Sequence, residues 1–157
     1  MIAMGSITYR PVSLEQAGEL LTLQRAAFVS EARTYGTVDI PPLVESLDDL
    51  RRELEMATTI GAYLGPRLVG AARLTIEGVI GWISRLAVAP DQQGKGIGSG
   101  LLEAIEASAP SVVTRFQLGA GHMSTSNIDM YNRRGYQELS RIRDRAGIEL
   151  VIMAKER

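Results

Sequence analysis

The chain has 157 residues, 45% hydrophobic and 22% charged, with 17 basic and 18 acidic residues and a formal net charge of −1. That balance gives no bulk attraction to nucleic acid or to an anionic membrane. Cysteine is absent and histidine occurs once, as His122, which excludes a disulfide framework, a thiolate zinc site, a cysteine nucleophile and a multi-histidine metal site, so no metal is expected.

The length suits one domain over residues 1–157 with a sizeable core. The start M-I-A-M-G-S has neither a basic n-region nor an apolar h-region, so no signal peptide is read. Together with the missing cysteine, this fits a cytoplasmic protein. No apolar run approaches bilayer-spanning length.

Residues 7–12 alternate as a short strand, and Pro11 places it at a sheet edge or lies near its end. Ser13 with Gln16 forms a capping box, opening a helix expected to reach Ala32. Residues 34–46 contain Gly36 and Pro41–Pro42 without periodicity and read as a loop. Ser46 caps a second helix with Asp48 and Asp49 in its first turn and Leu47, Leu50 and Leu54 on its inner face. Strands follow at 59–64, 68–76 and 79–89, separated by glycine turns. A glycine-rich turn leads into a helix over 96–109, then a strand at 112–118 and a loop at 119–122. Ser124 or Ser126 caps a helix that stops at Gly135, and strands at 136–142 and 148–153 close the chain. The order is βααβββαβαββ, an α+β domain with a mixed sheet.

Gly94, Gly96, Gly98 and Gly100 alternate between a strand and a helix start. Such a turn offers free N–H groups at the positive end of a helix dipole, which suits a phosphate. The P-loop register fails, because Gly94-Lys95 is followed by glycine where a Ser or Thr is needed and has no glycine five residues earlier. The dinucleotide register G-x-G-x-x-G fails from Gly94, which ends on Ser99, and from Gly96, which ends on Leu101. A turn that merely packs a helix on a strand is the remaining plain reading.

Gln93-Gly94-Lys95-Gly96-Ile97-Gly98, after a strand ending V-A-P-D, resembles the acyl-CoA-binding motif of the GCN5-related N-acetyltransferase (GNAT) superfamily. Asn127, Tyr131, Gly135 and Tyr136 resemble its later N-x-x-x-Y-x-x-x-G-Y pattern. Y-G-x-x-x-I-P-P-L from Tyr35 and G-H-x-S-x-x-N from Gly121 resemble a bacterial subgroup. The resemblance covers nearly the whole chain and implies a central mixed, twisted sheet of about seven strands with flanking helices. It implies acetyl-CoA as acyl donor, direct attack by an amine without a covalent enzyme intermediate, and a small-molecule or peptide amine as acceptor. A homodimer is common in the superfamily. The competing reading is a non-catalytic acyl-CoA-binding or sensing module on the same fold.

The resemblance assigns the pyrophosphate to N–H groups of Gln93, Gly94, Gly96, Ile97, Gly98 and Ser99. Lys95 is either a rim contact or a solvated lysine. Leu86, Ala87 and Val88 would track the pantetheine, where a splay between two strands exposes their backbone. The Leu86 N–H would meet the oxyanion. Asn127 and Tyr131, at i and i+4, share a helix face. Asn127 would contact pantetheine and Tyr131 the leaving thiolate, against the plain alternative of a packed tyrosine. The base is open among Glu31, Glu77, His122, Tyr35 and a water chain; Glu31 and Glu77 read as solvated. His122 follows a strand end with a suitable intrinsic pKa, or is a local hydrogen-bonding residue. Arg85 either lines the acceptor cleft, favouring a carboxylate, or pairs with a local acid. Tyr35 and the proline segment form either an acceptor lid or a rigid cover over the core.

Overall fold

A computed structural model of the chain describes residues 6–157. Most of the stretch read for a signal peptide, and the start of the 1–157 domain, lie outside it. Seven strands form one sheet: β1 Ile7–Pro11, β2 Thr58–Leu64, β3 Arg67–Glu77, β4 Ile80–Val88, β5 Arg115–Gly121, β6 Gln137–Arg143 and β7 Glu149–Glu156. The helices are α1 Ala17–Tyr35, α2 Pro41–Val44, α3 Leu47–Met56, α4 Ile97–Ser108 and α5 Thr125–Arg133. Among the described residues, no helix is long and apolar enough to cross a membrane.

The strand order is β1-β2-β3-β4-β5-β7-β6. Every neighbouring pair is antiparallel except β4 with β5, which α4 connects as a crossover. Seven consecutive residues of β3 are buried, the mark of a strand covered on both faces. Gly70 faces α4, where a Cβ would lie 2.9 Å from Leu101 and 3.2 Å from Ile97. Arg73 has the opposite strand parity and reaches residues on the α1 side, so the helical layers lie on opposite faces. Leu50, Leu101, Leu102 and Ile105 are fully buried between them.

Several boundaries differ from expectation. α1 runs past Ala32 to Tyr35, and Gly36, at φ 68°, closes it with an N–H bond to the Ala32 carbonyl. The expected loop at 34–46 contains the single-turn α2, with Pro41 in its first turn. β5 begins three residues later than expected, because Val113 is held in a turn by the Pro110 carbonyl. It also continues through Gly119 and Gly121, which read as loop but pair with Ile152 and Leu150 of β7. Cross-strand pairing there overrides glycine's weak strand preference.

The strand pairing also builds an opening. β4 and β5 pair only from Ile80↔Arg115 to Ile83↔Leu118. On the other side of β4, the β3 register shifts between Ala71 and Arg73, leaving Arg85 and Leu86 without ladder partners. This is a bulge. Arg85 has φ 54°, the only positive φ outside glycine among the described residues. Such a conformation costs an arginine roughly 1–3 kcal/mol and persists only where the surroundings impose it.

Candidate active site

Two cavities meet at the opening between β4 and β5. The larger, about 660 Å3, is lined by Leu86, Ala87 and Val88 of β4, by Gln93, Gly94, Gly96 and the start of α4, and by Asn127, Met130 and Arg133 of α5. The smaller, about 330 Å3, is lined by Tyr35, Ile40, Trp82, Arg85, Leu118 and Tyr131, among others. Phe28, Glu31, Leu86 and Asn127 line both, so they mark the junction.

The alternating glycines have different jobs. Gly94 and Gly96 sit at φ 76° and 81°, and a Cβ on either would face open space; their demand is conformational. A Cβ on Gly98 would lie 3.4 Å from the Met130 sulfur, and one on Gly100 would overlap the Tyr9 ring. Gly96 is also the N-cap of α4 and has no capping side chain. Intrahelical bonding in α4 starts at the Gly100 N–H, which donates to the Gly96 carbonyl. The N–H groups of Ile97, Gly98 and Ser99 therefore stay available beside the larger cavity. These features fit a pyrophosphate.

Lys95 is exposed, donates to Gln92 at 3.3 Å and does not line this cavity; the cation on its wall is Arg133, which sequence reasoning missed. A basic residue in the last turn of a helix is most simply read as a dipole partner, so nothing in the pattern marks Arg133 as a cavity residue.

α5 presents both of its candidates to the junction. Asn127 lines both cavities and Tyr131, one turn later, lines the smaller. Tyr131 is only 6% exposed. Burial, and then the charge of Glu31, push its phenol well above its ordinary value, so it stays neutral. Ser124 is the N-cap of α5 but does not cap it with its side chain. Its hydroxyl lies 3.2 Å from the Tyr35 hydroxyl, which also accepts the Met123 N–H at 3.0 Å. Tyr35 thereby ties the end of α1 to the β5–α5 turn, and Gly121 leaves room for its ring.

The structure changes the status of Glu31, which lies near the C-terminal end of α1. It was expected to be solvated; it is half-buried at the junction. Burial pushes its carboxyl above the ordinary 4.5. A carboxyl with a raised folded-state pKa binds its proton more tightly when folded. Its contribution to stability is full below the unfolded value and is lost as pH rises through the folded value. Glu31→Gln is therefore expected to raise the melting temperature at neutral pH, with the gain shrinking in acid. Thermal melts across that range measure it; equal melts at all pH values would contradict the desolvation argument.

The other candidate bases lie elsewhere. Glu77 is exposed at the end of β3 and lines neither cavity. His122 also lines neither: its Nδ1 lies 3.2 Å from the Glu149 carbonyl and its ring packs 5.9 Å from that of Tyr35.

Arg85 faces both a cavity and an acid. It lines the smaller cavity, and its Nε lies 3.5 Å from Glu45 Oε1. Glu45 was not singled out in the sequence. It accepts a two-pronged contact from Arg73, at 3.0 and 3.1 Å, and a bond from Gln24 at 3.0 Å. The proline segment likewise serves as cover and wall: Ile40 and Pro42 are buried and line the smaller cavity.

The sequence profile described as the acetyltransferase (GNAT) domain matches residues 32–157. The chain belongs to the GNAT acetyltransferase family. UPF0157 protein YqkA of Bacillus subtilis (strain 168) is 27% identical over 141 residues, covering 87% of this GNAT chain; the chain spans 39% of that protein's length. The fold matches that of the PaiA N-acetyltransferase from Thermoplasma acidophilum, solved in complex with coenzyme A, at TM-score 0.76 and 21% identity, over 97% of this chain and 99% of that one. It also matches YncA, a putative acetyltransferase from Salmonella typhimurium solved with acetyl-CoA, at TM-score 0.77 and 15% identity, over 97% and 94%.

Proposed function

We propose that this chain transfers an acetyl group from acetyl-CoA to a primary amine. The observation that carries the reading is the meeting of two cavities at Phe28, Glu31, Leu86 and Asn127, one with a phosphate-sized backbone cradle and one mainly apolar. Bound acetyl-CoA supplies a thioester that the amine nitrogen attacks directly: a C–N bond forms, the C–S bond breaks, the nitrogen loses a proton and the sulfur gains one.

The chain's groups divide this work. Gly94, Gly96, Ile97, Gly98 and Ser99 offer N–H groups to the pyrophosphate, with Arg133 as the nearby cation. Leu86, Ala87 and Val88 lie beyond the last β4–β5 pair, so their backbone groups on that side are open to an extended, amide-bearing chain such as pantetheine. The Leu86 N–H, freed by the bulge, donates to the acyl oxygen. Asn127 orients the arm from the opposite wall. Glu31, at the junction and with a raised pKa, takes the amine's proton, directly or through a water. Tyr131 hydrogen-bonds the departing sulfur.

The test is release of coenzyme A thiol from acetyl-CoA across a panel of amines, paired with calorimetric binding of acetyl-CoA. Wild type turns over at least one amine. Gly96→Asp, which forces a side chain into φ 81° and sets a carboxylate at the cradle, weakens acetyl-CoA about tenfold or more. Unchanged affinity in that variant would reject the pyrophosphate site. Tight binding with no turnover on any amine would instead favour a sensing module.

A further inference from the structure

We propose that the acceptor is a small amino-carboxylate with an apolar side chain, of the α-amino acid class, whose carboxylate is held by Arg85. This rests on the acetyl-transfer reading above and names the substrate class of the same site.

Three features carry it. First, among the described residues Arg85 is the only cation on the wall of the smaller cavity, and it does not line the larger one, so it is placed to meet the acceptor rather than the phosphates of the donor. Second, it lacks a full counter-charge. Its Nε is buried and has no hydrogen-bond partner among the described residues. The nearby Glu45 is already engaged by the Arg73 fork and by Gln24, so two guanidinium groups share one carboxylate. Burial lowers the pKa of Arg85 against the pull of Glu45, as expected of a cation short of an anion. A half-buried, incompletely paired cation is costly, and a ligand carboxylate in bidentate contact offsets that cost. Third, the backbone is bent to place this residue: Arg85 holds φ 54° in the bulge of β4.

The rest of the cavity sets the remaining chemistry. Ile40, Trp82, Leu118, Leu150 and Ile152 give an apolar lining that suits an aliphatic or aromatic side chain. Two acids also line it. Asp144 is committed to its own turn, accepting the N–H groups of Ala146 and Ile148 at 2.9 Å each. Glu31 remains, at the junction, to receive the ammonium end. An amine and a carboxylate on one small molecule therefore each find a group of opposite charge within one largely apolar chamber.

The experiment titrates coenzyme A-loaded protein with L-leucine and L-phenylalanine, and with isoamylamine and phenethylamine, which lack the carboxylate. Thiol release from acetyl-CoA is followed with the same four amines. Wild type is expected to bind the amino acids about tenfold or more tightly than their decarboxylated counterparts. Arg85→Met should collapse that ratio towards one, while Arg85→Lys, which keeps a charge but not the fork, retains part of it. Melting curves confirm that both variants fold. Equal affinity of wild type for both classes, no binding of either amino acid, or an equal loss for both classes in Arg85→Met would each overturn the assignment. Discriminating binding without thiol release would leave Arg85's role standing and defeat acetyl transfer. Turnover of all four amines with equal efficiency would do the reverse.

Discussion

Replacing Glu45 with alanine is expected to destabilise the fold by about 3–5 kcal/mol, the usual consequence of removing one partner from a buried ion cluster. The Glu45 and Arg73 side chains are each 8% exposed, and Arg85 is 23% exposed. Without Glu45, both guanidinium groups lose their facing carboxylate, and Gln24 keeps only its bond to the Pro42 carbonyl at 2.9 Å. The loss is a large share of the roughly 5–15 kcal/mol that holds such a domain together. It should lower the melting temperature by roughly 10 °C. Burial alone would raise the Glu45 pKa, but its bonds to Arg73 and Gln24 and the charges of Arg73 and Arg85 hold it below the ordinary 4.5. A depressed carboxyl contributes stability that is full above the unfolded value and is lost as pH falls through the folded one. The gap between wild type and Glu45→Ala in urea denaturation should therefore be widest near neutrality and narrow in acid. Adding Arg73→Met to the variant should recover part of the loss by removing a charge that no longer has a partner. A change below about 1 kcal/mol in Glu45→Ala would place this cluster with ordinary surface pairs.

The cluster also shows where sequence reasoning stops. Glu45 lies in a segment that reads as a proline loop, and its contacts come from residues 21 and 28 positions away. No local pattern links such residues; only the packing of α1 and β3 against the segment does. The glycine turn was legible for the opposite reason. Its demand is local: a backbone conformation at Gly94 and Gly96, followed directly by a helix start. Asn127 and Tyr131 were legible because helical spacing fixes their shared face whatever surrounds them. Glu31 fell between these cases. Its place near the end of α1 was readable, but its burial comes from cavity walls contributed by β4 and α5, far away in sequence. The bulge that frees Leu86 and bends Arg85 depends on the register of β3 against β4, and side-chain alternation within one strand carries no record of it. The fold and the glycine turn were thus readable from local signals, while the smaller cavity is assembled from long-range contacts.

On the proposed mechanism, Tyr131→Phe lowers kcat by about 10²-fold or more with little change in acetyl-CoA affinity. The phenol lines the smaller cavity but not the larger one, so its removal should spare donor binding. It should also spare the fold. The ring keeps its edge contact with Tyr136 at 6.1 Å. The raised pKa decides what kind of help the phenol gives. An ordinary thiol titrates at about 8.5, well below a phenol pushed above 10. Full proton transfer from Tyr131 to the thiolate is therefore uphill, and the larger share of its effect is a hydrogen bond donated to sulfur as negative charge develops. Two consequences separate this from a freely titrating acid. First, kcat should not fall in mildly alkaline solution through ionisation of Tyr131. Second, the loss in Tyr131→Phe should be smaller with an acyl thioester whose thiol is more acidic, because that leaving group needs less stabilisation. Steady-state kinetics of both proteins against a pair of thioesters would show it. A loss that is equal for the two donors, or a melting temperature that falls along with kcat, would return Tyr131 to the role of a packed residue beside the sheet.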